Sequence, residues 1–172
     1  MSANKVAADR LEYLSQKWDT RLPDMDLTPW QVWGRTTRIH ELFLAAIAPA
    51  LAKHELSFKE FQTLAALVLD GPPYEASPQQ IARHNLLTSG GVANLLARME
   101  RDGLVERRAG DIDRRSVIVR ATERGLADFE AAVAAENRIE HDMLAALTAE
   151  ERQILATLLR KLLLSIDPVS LA

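Results

Sequence analysis

The sequence contains no cysteine, which removes disulfides, thiolate metal sites, a cysteine nucleophile and any thiol redox switch. Glycine and proline number seven each, too few for a loop-rich or low-complexity chain. No apolar run approaches the roughly 20 residues of a membrane helix, and the start lacks the basic-then-apolar order of a signal peptide. A cytoplasmic protein without membrane contact is therefore expected. The four histidines, at 40, 54, 84 and 141, fall at no metal-ligand spacing, and His40-Glu41 lacks a histidine three residues on. No nucleotide-binding glycine loop and no Gly-x-Ser-x-Gly elbow occurs, so no catalytic residue, metal or cofactor is expected. What is present is 172 residues, 48% hydrophobic and 26% charged, enough for one domain with a real core.

Charge is unevenly spread. The whole chain carries −3, yet Ser77 to Arg120 holds eight arginines against five acids, a local net of +3. A basic island in an acidic protein marks where a polyanion would sit, and repels it elsewhere.

Helical spacing of Leu11, Leu14 and Trp18 predicts a first helix over Val6 to Trp18, broken afterwards by Pro23 and Pro29. Thr28 and Pro29 predict the start of the next, with Ile39, Leu42, Phe43, Ala46, Ile47, Ala50 and Leu51 as its stripe and Pro49 ending or kinking it. Ser57 with Glu60 three residues on predicts a third helix, stopped by Asp70-Gly-Pro-Pro73. Ser77-Pro78-Gln79-Gln80 repeats that start signal for a short helix to His84. Leu86-Leu-Thr-Ser-Gly-Gly91 leads into a fifth, with Val92, Leu95, Leu96 and Met99 inward and Gly103 as its stop. Leu104–Arg108 and Ser116–Arg120 read as strands around a loop tip, forming a hairpin. Thr122 caps a long helix, and Thr148-x-x-Glu151 is a capping box for the last.

Helix, short helix, turn, helix and hairpin in that order predict a mainly α chain with a small β-hairpin wing, a winged helix-turn-helix. On the fifth helix Gly91, Asn94, Arg98 and Arg101 face outward. Gly90 and Gly91 remove side chains where the helix start would approach a groove. Thr88 and Ser89 offer hydroxyls, and free first-turn amides favour a phosphate. Asn94 is suited to adenine, and Arg98 to guanine or phosphate. Asp113, Arg114 and Arg115 stand at the hairpin tip, where the aspartate can orient one arginine while the other reaches a minor groove. An ion pair that only fixes the turn is the alternative. Arg108 completes the expected DNA-binding set.

The run Leu86-Leu-Thr-Ser-Gly-Gly-Val-Ala-Asn-Leu-Leu-Ala-Arg-Met-Glu-Arg-Asp-Gly-Leu-Val-Glu-Arg-Arg108, followed by Asp111-Ile-Asp-Arg-Arg-Ser116 and Ala121-Thr122-x-x-Gly125, resembles the MarR family of bacterial regulators. The resemblance covers about Trp30 to Leu164 and implies a winged-helix homodimer on a pseudo-palindromic operator, usually a repressor released by a small ligand. It also implies that the terminal helices form the dimer interface. The last helix supports this independently: Leu155, Leu158, Leu159, Leu162 and Ile166 make a stripe too wide for one small neighbour. The expected division is 1–29 extra N-terminal helix and connector, 30–56 dimerisation or linking helix, 57–121 DNA-binding region, and 122–172 C-terminal dimerisation helices.

The segment from Trp18 to Pro29 is similar to the urate-responsive branch of that family, which binds urate with a tryptophan, an aspartate and two arginines. By this resemblance Trp18 and Arg107 match the tryptophan and second arginine, whereas Gln62 and Leu95 hold the aspartate and first-arginine positions. The set implies a flat, less charged aromatic effector stacking on Trp18, with Trp30, Trp33 and Arg38 as further pocket candidates. A winged helix used for protein–protein assembly, without DNA, is the alternative function.

Overall fold

A computed structural model describes residues 8–85, 89–109 and 117–167. Thr88, Asp113, Arg114 and Arg115 lie outside the described residues, as does Val6. The chain divides into two compact units, Met1–Ala46 and Ile47–Ala172.

In the first unit Asp9, rather than a residue near Val6, opens α1 (Arg10–Arg21), its Oδ1 accepting from the Glu12 amide at 2.7 Å. Thr28 begins α2 (Thr28–Ala52) as its first residue, its amide held by Asp26 at 2.9 Å. The two helices are tied by side chains. Arg35 Nε donates to Asp9 Oδ2 at 2.9 Å and Arg35 Nη1 to Gln31 at 3.0 Å, while Gln31 Nε2 reaches the buried Ser15 hydroxyl at 2.8 Å. Gly34 permits the approach, since a Cβ there would stand 2.9 Å from a Leu11 methyl.

The second unit begins inside α2, which Pro49 fails to end. The missing hydrogen bond costs about 3 kcal/mol. Burial of Ile47 and Leu51, both at 2% exposure or less, offsets it at about 1.5–3 kcal/mol each. The helix stops three residues later because Glu55 turns left-handed, at φ 55°, and Leu56 and Glu55 donate back to the Leu51 and Ala52 carbonyls. Reciprocal capping boxes open α3 (Phe58–Val68) at Ser57/Glu60 and α4 (Pro78–His84) at Ser77/Gln80. The next helix, α5 (Ser89–Arg101), ends at Gly103, whose φ of +72° lets Gly103 and Leu104 donate to the Glu100 and Met99 carbonyls at 3.1 and 2.8 Å.

Three antiparallel strands lie in the order β1 (Glu75–Ala76), β3 (Val117–Ala121), β2 (Val105–Ala109). The hairpin is displaced by one residue from the expected ranges, with Val105 opposite Ala121 and Arg107 opposite Val119. The β1 strand was not expected. It sits shortly after two prolines and is too short to show alternation, yet it pairs Glu75 with Arg120. The core joins Leu64, Leu67, Ile81, Val92, Leu96, Met99, Val105 and Val119, all nearly fully buried. Phe61 stacks on Phe129 with ring centroids 5.4 Å apart.

Helix α6 (Glu123–Met143) starts on the Thr122 cap and lies hard against the α5–β2 corner. A Cβ at Gly125 would stand 2.2 Å from the Leu104 carbonyl oxygen, and backbone on both sides leaves no easy relief. Gly125→Ala is expected to cost about 2–3 kcal/mol despite its better helix propensity, seen as a lower urea midpoint at unchanged slope. A variant as stable as the parent would show that the corner opens freely.

Helix α7 (Ala149–Ile166) has its predicted capping box at Thr148/Glu151 and no buried residue. Its apolar side chains stay open in the single chain, with Leu158 58% and Ile166 60% exposed. Among the described residues no helix is long and apolar enough to cross a membrane.

Candidate nucleic-acid interface

Helix α5 has two unlike faces. Val92, Leu95, Leu96 and Met99 are buried against the rest of the unit, whereas Gly90, Gly91, Ala93, Asn94, Ala97 and Arg101 face out. A Cβ added at Gly90 would meet nothing within 4 Å, and its backbone is not left-handed. No neighbouring atom among the described residues demands glycine there. Arg101 is open, its side chain 73% exposed, with Nε at 3.4 Å from Asp102. Ser89 begins the helix.

Arg98 is exposed, as expected, with its side chain 46% open, and it is at the same time held by its own protein. Its Nε donates to Glu60 Oε1 at 2.7 Å and its Nη2 to Ser57 Oγ at 3.2 Å. The Glu60 side chain is only 6% exposed, and an ion pair to a carboxylate this deeply set fixes the guanidinium against α3. Helical spacing alone gave Arg98 an outward direction; the partner lies 38 residues away in sequence.

On the sheet, Glu75 takes both Arg108 and Arg120. Arg120 Nε donates to Glu75 Oε1 at 2.6 Å and Arg108 Nε to the same oxygen at 3.2 Å. Arg120 also faces Glu106 at 3.8 Å across the strand pair. The hydrogen bond from Arg108 is the main cause that holds the Glu75 carboxyl below the usual glutamate range, with Arg120 adding to it against the opposing effect of burial. A depressed value means the clamp is complete above the ordinary glutamate range and is lost as pH falls through the lowered one. Arg108, expected to touch DNA, is half-buried towards the outer end of the described hairpin, opposite Ile118. Arg107 points to the other face and pairs with Glu100 at 3.2 Å.

The MarR family's sequence model matches residues 54–116, the stretch from the end of α2 to the wing. The transcriptional regulator PecS of Dickeya dadantii is 33% identical over 144 residues, 84% of this chain and 87% of PecS. The chain belongs to the MarR family. Two solved structures share its fold. A mutant MarR from E. coli, complexed with operator DNA, superposes with TM-score 0.70 at 22% identity, covering 81% of this chain and 99% of that one. The organohalide-sensing regulator RdhR in its 2,4-dichlorophenol-bound form gives 0.71 at 24% identity, covering 95% and 88%.

This MarR-family chain is accordingly a DNA-binding transcriptional regulator with a winged helix-turn-helix. Its effector candidates fall in both units. Trp18, Trp30 and Trp33 are 47%, 36% and 51% exposed in the first, where Arg38 is paired with Glu41 at 3.0 Å. In the second, Gln62 is exposed on α3, but Leu95, offered by resemblance as a ligand position, is 7% exposed and belongs to the apolar face of α5. Arg107 lines a hollow of about 450 Å³ among α4, α5 and the wing, whose other described walls include Ala82, Val92, Leu96 and Val117. Two functional side chains escaped sequence reasoning altogether as partners. Glu60 was read only as a cap, and Glu75 carried no signal because its strand has two residues.

Proposed function

We propose that the protein is a homodimeric repressor that binds a pseudo-palindromic operator and is released by a small aromatic effector. The observation that carries this reading is the open face of α5, where Gly90 and Asn94 stand clear of their own protein on a helix rooted in the core by its other face. Asn94 reads adenine, the first-turn amides and the hydroxyls of Thr88 and Ser89 take phosphate or base edges, and Arg101 with the tip arginines Arg114 and Arg115 supplies charge. In this reading Asp113 orients one of these arginines while the other reaches a minor groove. The dimer is joined through Leu155, Leu158, Leu159, Leu162 and Ile166, and two-fold symmetry sets the recognition helices about 34 Å apart.

Selection of bound fragments from the source genome tests the reading. A palindromic fragment should emerge whose log affinity falls linearly with log salt, and Arg115→Ala should flatten that slope by about one unit for each protomer of the dimer. Salt-independent binding, or no fragment at all, would favour a protein–protein assembly module instead.

For the effector, the hollow beside Arg107 suits an aromatic acid or phenol: apolar walls for the ring and a guanidinium, shared with Glu100, for the anionic substituent. RdhR, with its bound phenol, supports this ligand class. Release from DNA requires that the ligand favour one state of the protein over the other, since equal affinity shifts nothing.

A further inference from the structure

The recognition helix carries an arginine that the fold has already engaged. Glu60 divides its carboxylate between two tasks. Oε2 accepts the Ser57 amide at 2.7 Å and the Ser57 hydroxyl at 2.7 Å, closing the start of α3, while Oε1 accepts Arg98 Nε at 2.7 Å. Arg98 Nη2 reaches the same Ser57 hydroxyl at 3.2 Å. Two nitrogens of one rigid fork are thereby fixed on two partners. That geometry aims the C-terminal half of α5, because Arg98 is followed within about a turn and a half by the left-handed exit at Gly103.

We infer that Glu60 and Arg98 are positioning residues for operator recognition, setting the angle at which α5 presents Asn94, and that Arg98 acts through Glu60 instead of on the DNA. The inference rests on the DNA-binding reading above. A lysine could keep a phosphate contact as a point charge, but not both arms of this junction. A deeply set carboxylate also opposes the removal of its cation, so a phosphate that drew Arg98 off Glu60 would leave that buried charge without its partner.

Simple electrostatics and the positioning role predict opposite signs. Removing the Glu60 charge makes the DNA-binding unit more basic, which by itself tightens binding to a polyanion. Loosening the helix angle weakens binding to the specific site, since about half an ångström of play at a recognition constellation is costly. Glu60→Gln is a mild variant: glutamine still serves the capping box, so α3 keeps its start.

The test uses the full-length protein with a short duplex carrying the sequence selected by the wild-type chain, and a scrambled duplex of equal length. Glu60→Gln and Arg98→Ala should each reduce preference for the selected duplex about ten-fold, with binding to the scrambled duplex and the salt slope unchanged. The double variant should be no worse than the worse single one, because both break the same junction. Melting temperature and sedimentation, read on each variant, separate lost folding from lost aim. If Arg98→Ala instead flattens the salt slope by about one unit per protomer while Glu60→Gln binds as well or more tightly, Arg98 contacts phosphate and the inference is wrong. Variants that melt earlier yet, once folded, discriminate as the parent does also overturn it. A wild-type chain that selects no fragment removes the DNA-binding reading along with it, and that failure is visible before any variant is made.

Discussion

Replacing Leu158 and Leu162 together with glutamate should turn the proposed dimer into monomers with little operator affinity. Helix α7 buries none of its residues within its own chain, while Ile154, Leu158 and Leu163 are more than half exposed. Such a band of leucine and isoleucine is too apolar to face water without a partner. Covering each such side chain contributes about 1.5–3 kcal/mol, and two-fold symmetry counts every substitution twice, so the variant sets four carboxylates into one apolar seam. Loss of the second half-site removes an effective concentration in the millimolar range, and operator binding should weaken by about 100-fold or more on that account. Sedimentation velocity reads the mass and a titration reads the affinity. A variant that remains dimeric would place the seam elsewhere.

Gly90→Leu should separate stability from function. A side chain at this position enters open space in the free protein, and leucine is a better helix former than glycine by up to about 1 kcal/mol. The melting temperature should therefore hold or rise slightly. Against a groove the same side chain must push the helix start away from the duplex, and breaking a good hydrogen-bonded pairing with a base costs about 1–3 kcal/mol. Operator affinity should fall by about ten-fold or more at each half-site. Unchanged affinity would mean that the start of α5 does not approach DNA closely.

Local chemistry made much of this fold legible. Ser57/Glu60, Ser77/Gln80 and Thr148/Glu151 all mark helix starts where the boxes form, because capping depends on residues three apart. Gly103 marked a stop for the same reason, needing a left-handed residue at a known offset. What escaped depends on distance along the chain. Pro49 did not end the helix because a local rule met burial of Ile47 and Leu51 by residues far from it. The partners of Arg98 and Arg108 lie 38 and 33 residues away, and no periodicity carries that pairing. In the candidate interface, the two faces of α5 followed from spacing alone, while the side chains that hold its arginines did not.

The order β1-β3-β2 puts the hairpin's second strand in the middle and leaves β2, among the described residues, with one backbone edge outside the sheet. Strand edges invite addition of a strand from another molecule, the route to aggregated sheets. Here that edge strand carries Glu106, Arg107 and Arg108 in succession, and β1 caps the opposite side with only two residues. Consecutive charge on one margin and brevity on the other discourage sheet-to-sheet growth, so self-association is steered away from the β layer and toward helical surfaces.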